Sequence, residues 1–494
     1  MAQWNEPGCS ATPVWRKIST TARRVHVHEP AVEAQRLESV MDRSASFASS
    51  PAGALFGLWL GVLAILLMTI SPLALVSFGL NYDEPGGNPL EKIHPATLLA
   101  AALVLVAAMN SGNPLTWLIG NAERHPILIL YLGAIALLIV HSIRVVNLPF
   151  THFFDTFVLP AMIFLLYKGM SDVRAHRLAL LVHALMFVNA AIGIGEFATG
   201  LRLTPIVAAG IVIDDDWRST ALLGHPLANA SLTGAYLLML ALGGGRDLSW
   251  LTRSSAFVVN AGGMIVFGGR AATVLLVALL AALLLQRAYH IVRGARFDTT
   301  NILKTLVVAP LAGLGITVLA EQGFFDQFLN RFVDDKGSAE TRSEMFELFN
   351  HMSWHELLLA PDAQLMESLR FRYGLEFGIE SFWVSFVMSY GLLAGIVFFV
   401  ALIAFSLDIV RMVRPGAIWA FVFFYAVAST SVSLSAKSPL LAVFVFMVLV
   451  LMHRNQAQAT PADVVSPDAA LAPRSPPARR RAPLPEPAHP DLAA

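Results

Sequence analysis

The sequence has one cysteine, little charge, and no motif that would hold a nucleotide or a metal. Cys9 stands alone among 494 residues, so no internal disulfide can form and no Cys-based zinc site can be assembled. Charged residues make up 14% of the chain, well below the roughly 25% of a soluble domain. The 34 Lys and Arg balance the 34 Asp and Glu, which leaves no basic excess of the kind that marks a nucleic-acid partner. No phosphate-cradling glycine loop, HExxH pair or nucleophile elbow occurs. What is abundant is apolar: 56% of residues are hydrophobic and the mean hydropathy is +0.63. Repeated apolar runs of about 20 residues, long enough to cross a bilayer, exclude an ordinary soluble enzyme. The fold class they predict is all-α: a polytopic membrane protein.

The two ends differ from the middle. Residues 1–54 are polar and mixed, with Arg16, Lys17, Arg23, Arg24, Arg36 and Arg43, and read as a disordered cytoplasmic tail. An amphipathic helix lying on anionic lipid is the alternative there. A secretory signal would place its apolar core within the first few tens of residues, whereas the first apolar run starts only near Ala52. Residues 454–494 are rich in Pro and Ala, carry Arg479, Arg480 and Arg481, and read as a second disordered cytoplasmic tail.

Between the tails, residues 55–453 form the predicted transmembrane domain. Twelve runs are candidates to cross about 30 Å of hydrocarbon as helices: 55–77, 96–112, 126–142, 153–168, 177–196, 226–243, 254–268, 271–288, 302–320, 382–406, 416–432 and 437–453. With both termini inside, 23 of the 34 Lys and Arg fall on the inner side, and every inner loop carries at least one. That bias predicts a multi-pass membrane protein with both termini in the cytoplasm.

On the outer side two segments stand apart: 197–225, and the single large extracytoplasmic loop 321–381. A loop of that length is expected to be functional and partly helical. Thr341 and Glu344 have capping-box spacing, and Met345, Leu348, Phe349 and Met352 follow at helical spacing, which predicts a short helix starting near Arg342.

Several polar residues at that face call for explanation. Arg270 sits in Gly268-Gly269-Arg270-Ala271 between two apolar runs. It either snorkels to the interface or presents its planar fork to an anion. Arg218 either pairs with the Asp214-Asp215-Asp216 run or binds an anion, and Arg342 either opens a solvated helix face or joins the other two. Together the three arginines would suit a diphosphate whose charge must be held as it leaves. Glu380, where the large loop meets the tenth run, is the candidate general base. His225 and Glu196 are secondary candidates for substrate contact, with helix capping and a structural role as their alternatives. His152 and Asp155 are a candidate intramembrane pair. The Asp214–Asp216 run is either a solvated acidic turn or a cation site.

This layout resembles the O-antigen ligase and polymerase superfamily and, within it, the VpsF-type exopolysaccharide biosynthesis proteins. Three local matches carry the resemblance. Trp217 to Pro226 is similar to an Arg-containing segment before a helix. Gly268-Gly269-Arg270-Ala271 is similar to a short Ser-Arg-Gly turn, with Gly269 in the serine's place. Glu380-Ser381, the nine residues Phe382 to Tyr390, and Gly391 to Gly395 are similar to the end of the large loop in ligases, where His, then Asn, Ser or Gln, and nine residues precede Gly-x-x-Gly; here Glu380 replaces the histidine and Ala394 the second glycine.

The resemblance implies a glycosyltransferase of the GT-C-like kind, needing neither metal nor cofactor. It implies transfer of a glycan from an undecaprenyl-diphosphate-linked donor to a sugar hydroxyl at the periplasmic face, as in an exopolysaccharide or O-antigen polymerase. By motif position Arg218, Arg270 and Arg342 would hold the diphosphate and Glu380 would take the acceptor proton. Its partners would be the lipid-linked oligosaccharide and membrane lipid, together with a flippase and chain-length or export proteins. The substituted histidine favours a polymerase over a ligase that moves a finished glycan to a lipid acceptor. Two other classes remain as alternatives: a secondary transporter, and a non-catalytic component of an export complex.

Overall fold

The structure, a computed structural model, describes residues 51–82, 86–146, 150–168, 170–208, 211–213, 216–294, 310, 313–333, 338–375, 378–432 and 434–454. Residues 1–50 and 455–494 of the expected tails, Asp214, Asp215 and about half of the run 302–320 lie outside the described residues, while 51–54, expected as tail, open the helix Pro51–Thr69. The rest is helical apart from a minimal antiparallel ladder pairing Val207 with Val212 and Ala208 with Ile211.

Among the described residues six helices are long and apolar enough to cross a membrane: Ala52–Thr69, Pro126–Val146, Asp172–Thr199, Pro226–Gly244, Arg270–Val292 and Leu392–Met412. The pair Pro95–Asn110 and Pro114–Arg124, bent by 105°, counts as a seventh if taken as one broken span. The chain is therefore a multi-pass helical membrane protein. Other expected runs correspond to shorter or more polar elements. Ala417–Ala428 and Leu440–Leu451 have 12 residues each, or about 18 Å of helix. The run 153–168 is helical from Thr151 to Lys168 but passes through a π-helical stretch at Phe154–Val158.

Proline starts many of these helices and glycine ends some of them, as their backbones dictate. Pro72, Pro95, Pro114, Pro126 and Pro226 sit in the first turn, where a missing N–H costs nothing. Asp172–Thr199 ends at Gly200 and Trp250–Phe267 at Gly268, both left-handed. At the centre, every residue of Leu440–Leu451 is buried. Around it pack Leu159–Lys168, Asp172–Thr199 and Pro226–Met239. Arg270–Val292 is peripheral, with only Ala272 and Leu276 buried, so its open apolar face suits lipid.

Close helix contact depends on small residues. A Cβ on Gly193 would stand 2.5 Å from the Phe267 ring, and one on Gly263 would stand 3.1 Å from Ala190 Cβ. These two sites draw Asp172–Thr199 and Trp250–Phe267 together and set the position of the hairpin that follows Phe267.

The tenth expected run is not one helix. It divides into Phe382–Tyr390 and Leu392–Met412 at Gly391, whose φ is 81°. A Cβ on Gly391 would lie 2.6 Å from Ala360 N and from Leu358 O, so the backbone of the large loop fills the space a side chain would need. Glu380 therefore precedes a nine-residue helix rather than the span itself. The loop helix expected near Arg342 begins earlier, at Ser338, and runs to Glu347. The capping box is found further on, between Ser353 and Glu356. Met345, Leu348, Leu369, Leu375, Ile379, Val384 and Met388 make a second small core joining the loop to the Phe382–Tyr390 helix.

Candidate functional site

The site begins with a buried carboxylate. Glu196, near the end of Asp172–Thr199, is 7% exposed. Its Oε1 accepts the Leu203 N–H at 2.8 Å, and its Oε2 accepts the Thr220 and Ala221 N–H groups at 2.8 and 2.9 Å. Both oxygens are thus engaged with backbone. As a candidate for substrate contact, Glu196 is better described as the anchor that folds the turn 219–222.

Other groups lock the same turn. Ser219 donates its N–H to Val266 O at 3.1 Å and its hydroxyl to Gly193 O at 2.6 Å. Asn189 accepts the Leu222 N–H and donates to Asn229, which in turn donates to Thr220 O. Ala221 is held at φ 41°, a conformation that costs a non-glycine residue about 1–3 kcal/mol and persists only where the surroundings over-determine it.

This scaffold places Arg218. Its Cγ and Cδ pass so near Gly268 that a Cβ there would stand 2.9 Å from each. Its Nε reaches Asp216 Oδ1 at 3.0 Å and Oδ2 at 2.8 Å, and its Nη2 also donates to Oδ2. The two side chains are 18% and 14% exposed, so the pair is not a solvated surface bridge. Burial opposes ionisation of Asp216, but the hydrogen bonds and charge of Arg218 outweigh it and hold the carboxyl below its ordinary range. The sequence alternative in which Arg218 pairs with the acidic run is thus what the described residues show, through Asp216.

The hairpin supplies the second guanidinium. A Cβ on Gly269 would lie 2.3 Å from Ala230 Cβ, so this position must be glycine for the hairpin to seat against the Pro226–Met239 helix. Arg270 Nη1 donates to the backbone carbonyl of Arg331. In return, Arg331 Nη1 donates to Gly268 O at 3.2 Å. Arg331 lies on the helix Asp326–Val333, after an aromatic step in which Phe324 packs edge-on to Phe197, itself edge-on to Trp217. Burial and the positive charges of Arg218 and Arg270 depress the Arg331 guanidinium's pKa, while the negative charges of Asp216 and Glu380 oppose that shift. One electrostatic neighbourhood therefore contains Arg218, Arg270, Arg331, Asp216 and Glu380.

Sequence reasoning missed Arg331. It lies 61 residues from Arg270, and the contact is made by backbone carbonyls that no side-chain pattern encodes. The recurrence of Phe324, Phe328 and Phe332 every four residues was a usable sign of the helix that carries it.

Glu380 is positioned from the other side. Gly378, at φ 113°, meets Val432 closely. Ile379 and Ser381 are buried on either flank of Glu380. Ser381 stands just before the helix Phe382–Tyr390 and Gly391 ends it, so the nine-residue spacing noted in the sequence is one short helix.

His225 caps the Pro226–Met239 helix, with Nδ1 accepting the Leu227 N–H at 3.2 Å. Burial and the nearby Arg218 charge push the imidazole down to about 4, so it is neutral near pH 7. Arg342 lies on Ser338–Glu347, and its side chain is outside the described residues. His152 and Asp155 each have other partners: His152 meets the Tyr390 hydroxyl, while Asp155 accepts from Tyr82, Thr97 and the His94 backbone. Among the described residues no three His, Cys, Asp or Glu converge as metal ligands. No family model, curated protein or solved structure matches the chain.

Proposed function

We propose that this protein transfers a glycan from a polyprenyl-diphosphate-linked donor to a sugar hydroxyl at the outer face of a bacterial cytoplasmic membrane, as a polysaccharide polymerase does. The observation that carries the reading is the gathering of Arg218, Arg270 and Arg331 at one rim, from three segments far apart in sequence. Forked guanidinium groups bind phosphate oxygens in pairs. Fixed positive charge in a partly desolvated site lowers the barrier to departure of a diphosphate.

The chemistry balances with the residues present. The Glu380 carboxylate takes the proton of the acceptor hydroxyl. The hydroxyl oxygen forms the new bond to the anomeric carbon. The bond from that carbon to the diphosphate oxygen breaks, and its electron pair leaves with the phosphate into the arginine cluster. The lipid tail of the donor has an apolar path beside the site, since Arg270–Val292 starts at the cluster and exposes Val274, Val277, Leu284 and Leu285. A flippase must deliver such a donor, because its sugar is assembled on the opposite face.

Contacts between distant segments support the twelve-span topology with both termini inside. Each joins two ends assigned to the same side: Lys437 with Tyr82 and Arg331 with Gly268 outside, His453 with Asp172, Arg414 with Gly243 and His125 with Asp408 inside.

The test is chain extension by purified protein in liposomes containing lipid-diphosphate-linked repeat units. Single Arg218→Lys, Arg270→Lys and Arg331→Lys variants keep the charge and lose the fork, and each should cost about tenfold in rate, a difference of about 1.4 kcal/mol. Glu380→Gln should stop extension while donor binding persists. Wild-type rates in all four variants would reject the reading.

A further inference from the structure

Asp216 was met above as the partner of Arg218, and the proposed function gives it no task. We infer that Asp216 is an internal stand-in for the anionic ligand: its carboxylate occupies the fork of Arg218 in the resting protein and is displaced when a diphosphate binds. The inference rests on the arginine cluster being the diphosphate site.

Three observations carry it. First, the contact has the geometry of the bond expected with phosphate. Two nitrogens of the Arg218 guanidinium face two oxygens of one anion, which is how this side chain binds phosphate and carboxylate alike. Second, the contact is local and separable. Asp216 and Arg218 are two residues apart, and rotation of the Asp216 side chain would release the fork. The turn that follows would stay in place, because Glu196, Ser219 and Asn229 fix it independently. Arg218 would also stay, since its aliphatic chain is wedged against Gly268 and the Trp217 ring approaches the same glycine. Asp216 Oδ1 also accepts the Arg218 backbone N–H at 3.0 Å, so rotation gives up that bond together with the fork.

Third, two further guanidinium groups stand beside this pair on uncharged partners. Arg270 and Arg331 exchange hydrogen bonds with backbone carbonyls, so those contacts carry no neutralising charge, and both lie in the same electrostatic neighbourhood as Arg218. A diphosphate brings more negative charge and more acceptor oxygens than Asp216, so it can exchange with it. A neutral sugar or a single weak anion cannot. Asp216 thus gives the site selectivity: it keeps the cluster closed to chloride and isolated carboxylates and opens it to a polyanion.

Competition and positioning predict opposite signs. The full chain in lipid nanodiscs is titrated with inorganic pyrophosphate, and binding is read by calorimetry and by the shift in thermal unfolding. Asp216→Asn keeps the shape and an acceptor for the Arg218 N–H, but removes the charge. Under competition it binds pyrophosphate about tenfold more tightly than wild type, and Asp216→Ser, which lacks a competing carboxylate altogether, does the same. Affinity that is unchanged or weaker in whichever variant folds overturns the stand-in role. Arg218→Lys and Arg270→Lys separate the two levels of the argument. If wild type binds and these variants do not, while Asp216→Asn gains nothing, only the stand-in is wrong. If none of the proteins binds pyrophosphate, the diphosphate site falls and Asp216 with it.

Discussion

Replacing Glu196 with glutamine changes one atom and should unfasten the whole rim. The carboxylate serves three backbone donors, one at Oε1 and two at Oε2. Glutamine offers one oxygen and one amide nitrogen. In its better orientation the oxygen keeps Thr220 and Ala221, and the nitrogen faces the Leu203 N–H, donor against donor. The two surviving bonds lose their charge assistance, roughly 1 kcal/mol each, and the part-buried Leu203 N–H loses its acceptor, about 1 kcal/mol more. The sum is about 3 kcal/mol, a sizeable part of the 5–15 kcal/mol that holds a typical domain together. The damage should stay local at first, because Ala221 at φ 41° relaxes once its N–H bond weakens. Hydrogen exchange of the reconstituted protein is the assay. Amides of 219–224 should lose protection by orders of magnitude, while Leu440–Leu451 keeps its own. Transfer activity should fall through misplacement of Arg218. If Glu196→Gln kept native protection at 219–224 and still lost activity, Glu196 would be acting on substrate and the anchoring argument would be wrong.

Other changes test the remaining elements. Gly269→Ala puts a methyl group 2.3 Å from Ala230 Cβ and should separate the hairpin from the Pro226–Met239 helix, lowering the amount of folded protein in the membrane. Gly195→Ala meets nothing within 4 Å and should instead stabilise its helix by up to about 1 kcal/mol, read as a higher thermal midpoint. Asp155→Asn removes charge from an acceptor shared by Tyr82, Thr97 and the His94 N–H; it should cost about 2–4 kcal/mol and raise hydrogen exchange across 86–97. His225 has an imidazole near 4 in the folded protein against about 6.5 unfolded. Its contribution is therefore complete above pH 6.5 and is lost as pH falls towards 4, up to about 3 kcal/mol. His225→Asn can keep the helix cap and should flatten that part of the stability profile, measured as the difference between wild type and variant from pH 7 to 4.

Sequence pattern and structure agree where the physics is local. The long helices coincide with apolar runs because a membrane span is a property of about 20 consecutive residues. Proline at helix starts and glycine at Gly200 and Gly268 were likewise readable, since each reflects its own backbone. The break at Gly391 was not. Glycine is common in membrane helices, and the cause of this break, the backbone of 358–360 pressed against it, is some thirty residues away. The start of the loop helix was misplaced for a related reason: capping-box spacing occurs at Thr341 and Glu344, but Ser353 and Glu356 are the pair that forms the box. At the site, Arg218 and Asp216 are near neighbours and were visible together, whereas Arg331 joins Arg270 through carbonyls, which have no side-chain signature.

A comparison of Asp155 with the arginine cluster shows why the cluster is the place to look for chemistry. Asp155 is fully buried and receives hydrogen bonds from Tyr82, Thr97 and the His94 backbone, with Lys437 seated 3.6 Å from the centre of the Tyr82 ring. Donors and charge converge on that carboxylate from inside the protein, and the arrangement is what a structural junction between outer segments requires. At the rim the arrangement differs. Arg218, Arg270 and Arg331 stand together, and Arg270 and Arg331 are held by backbone carbonyls rather than by carboxylates. Like charges brought together in a partly desolvated place lower stability, and replacing one arginine with a neutral residue would relieve that cost if structure were all that mattered. The geometry does the reverse. It uses Glu196, a strained Ala221, two glycines and an exchanged pair of backbone hydrogen bonds to keep the cations in place. A site organised to hold clustered guanidinium groups is suited to a ligand that brings negative charge with it, and a diphosphate leaving a sugar acquires that charge at the moment of reaction.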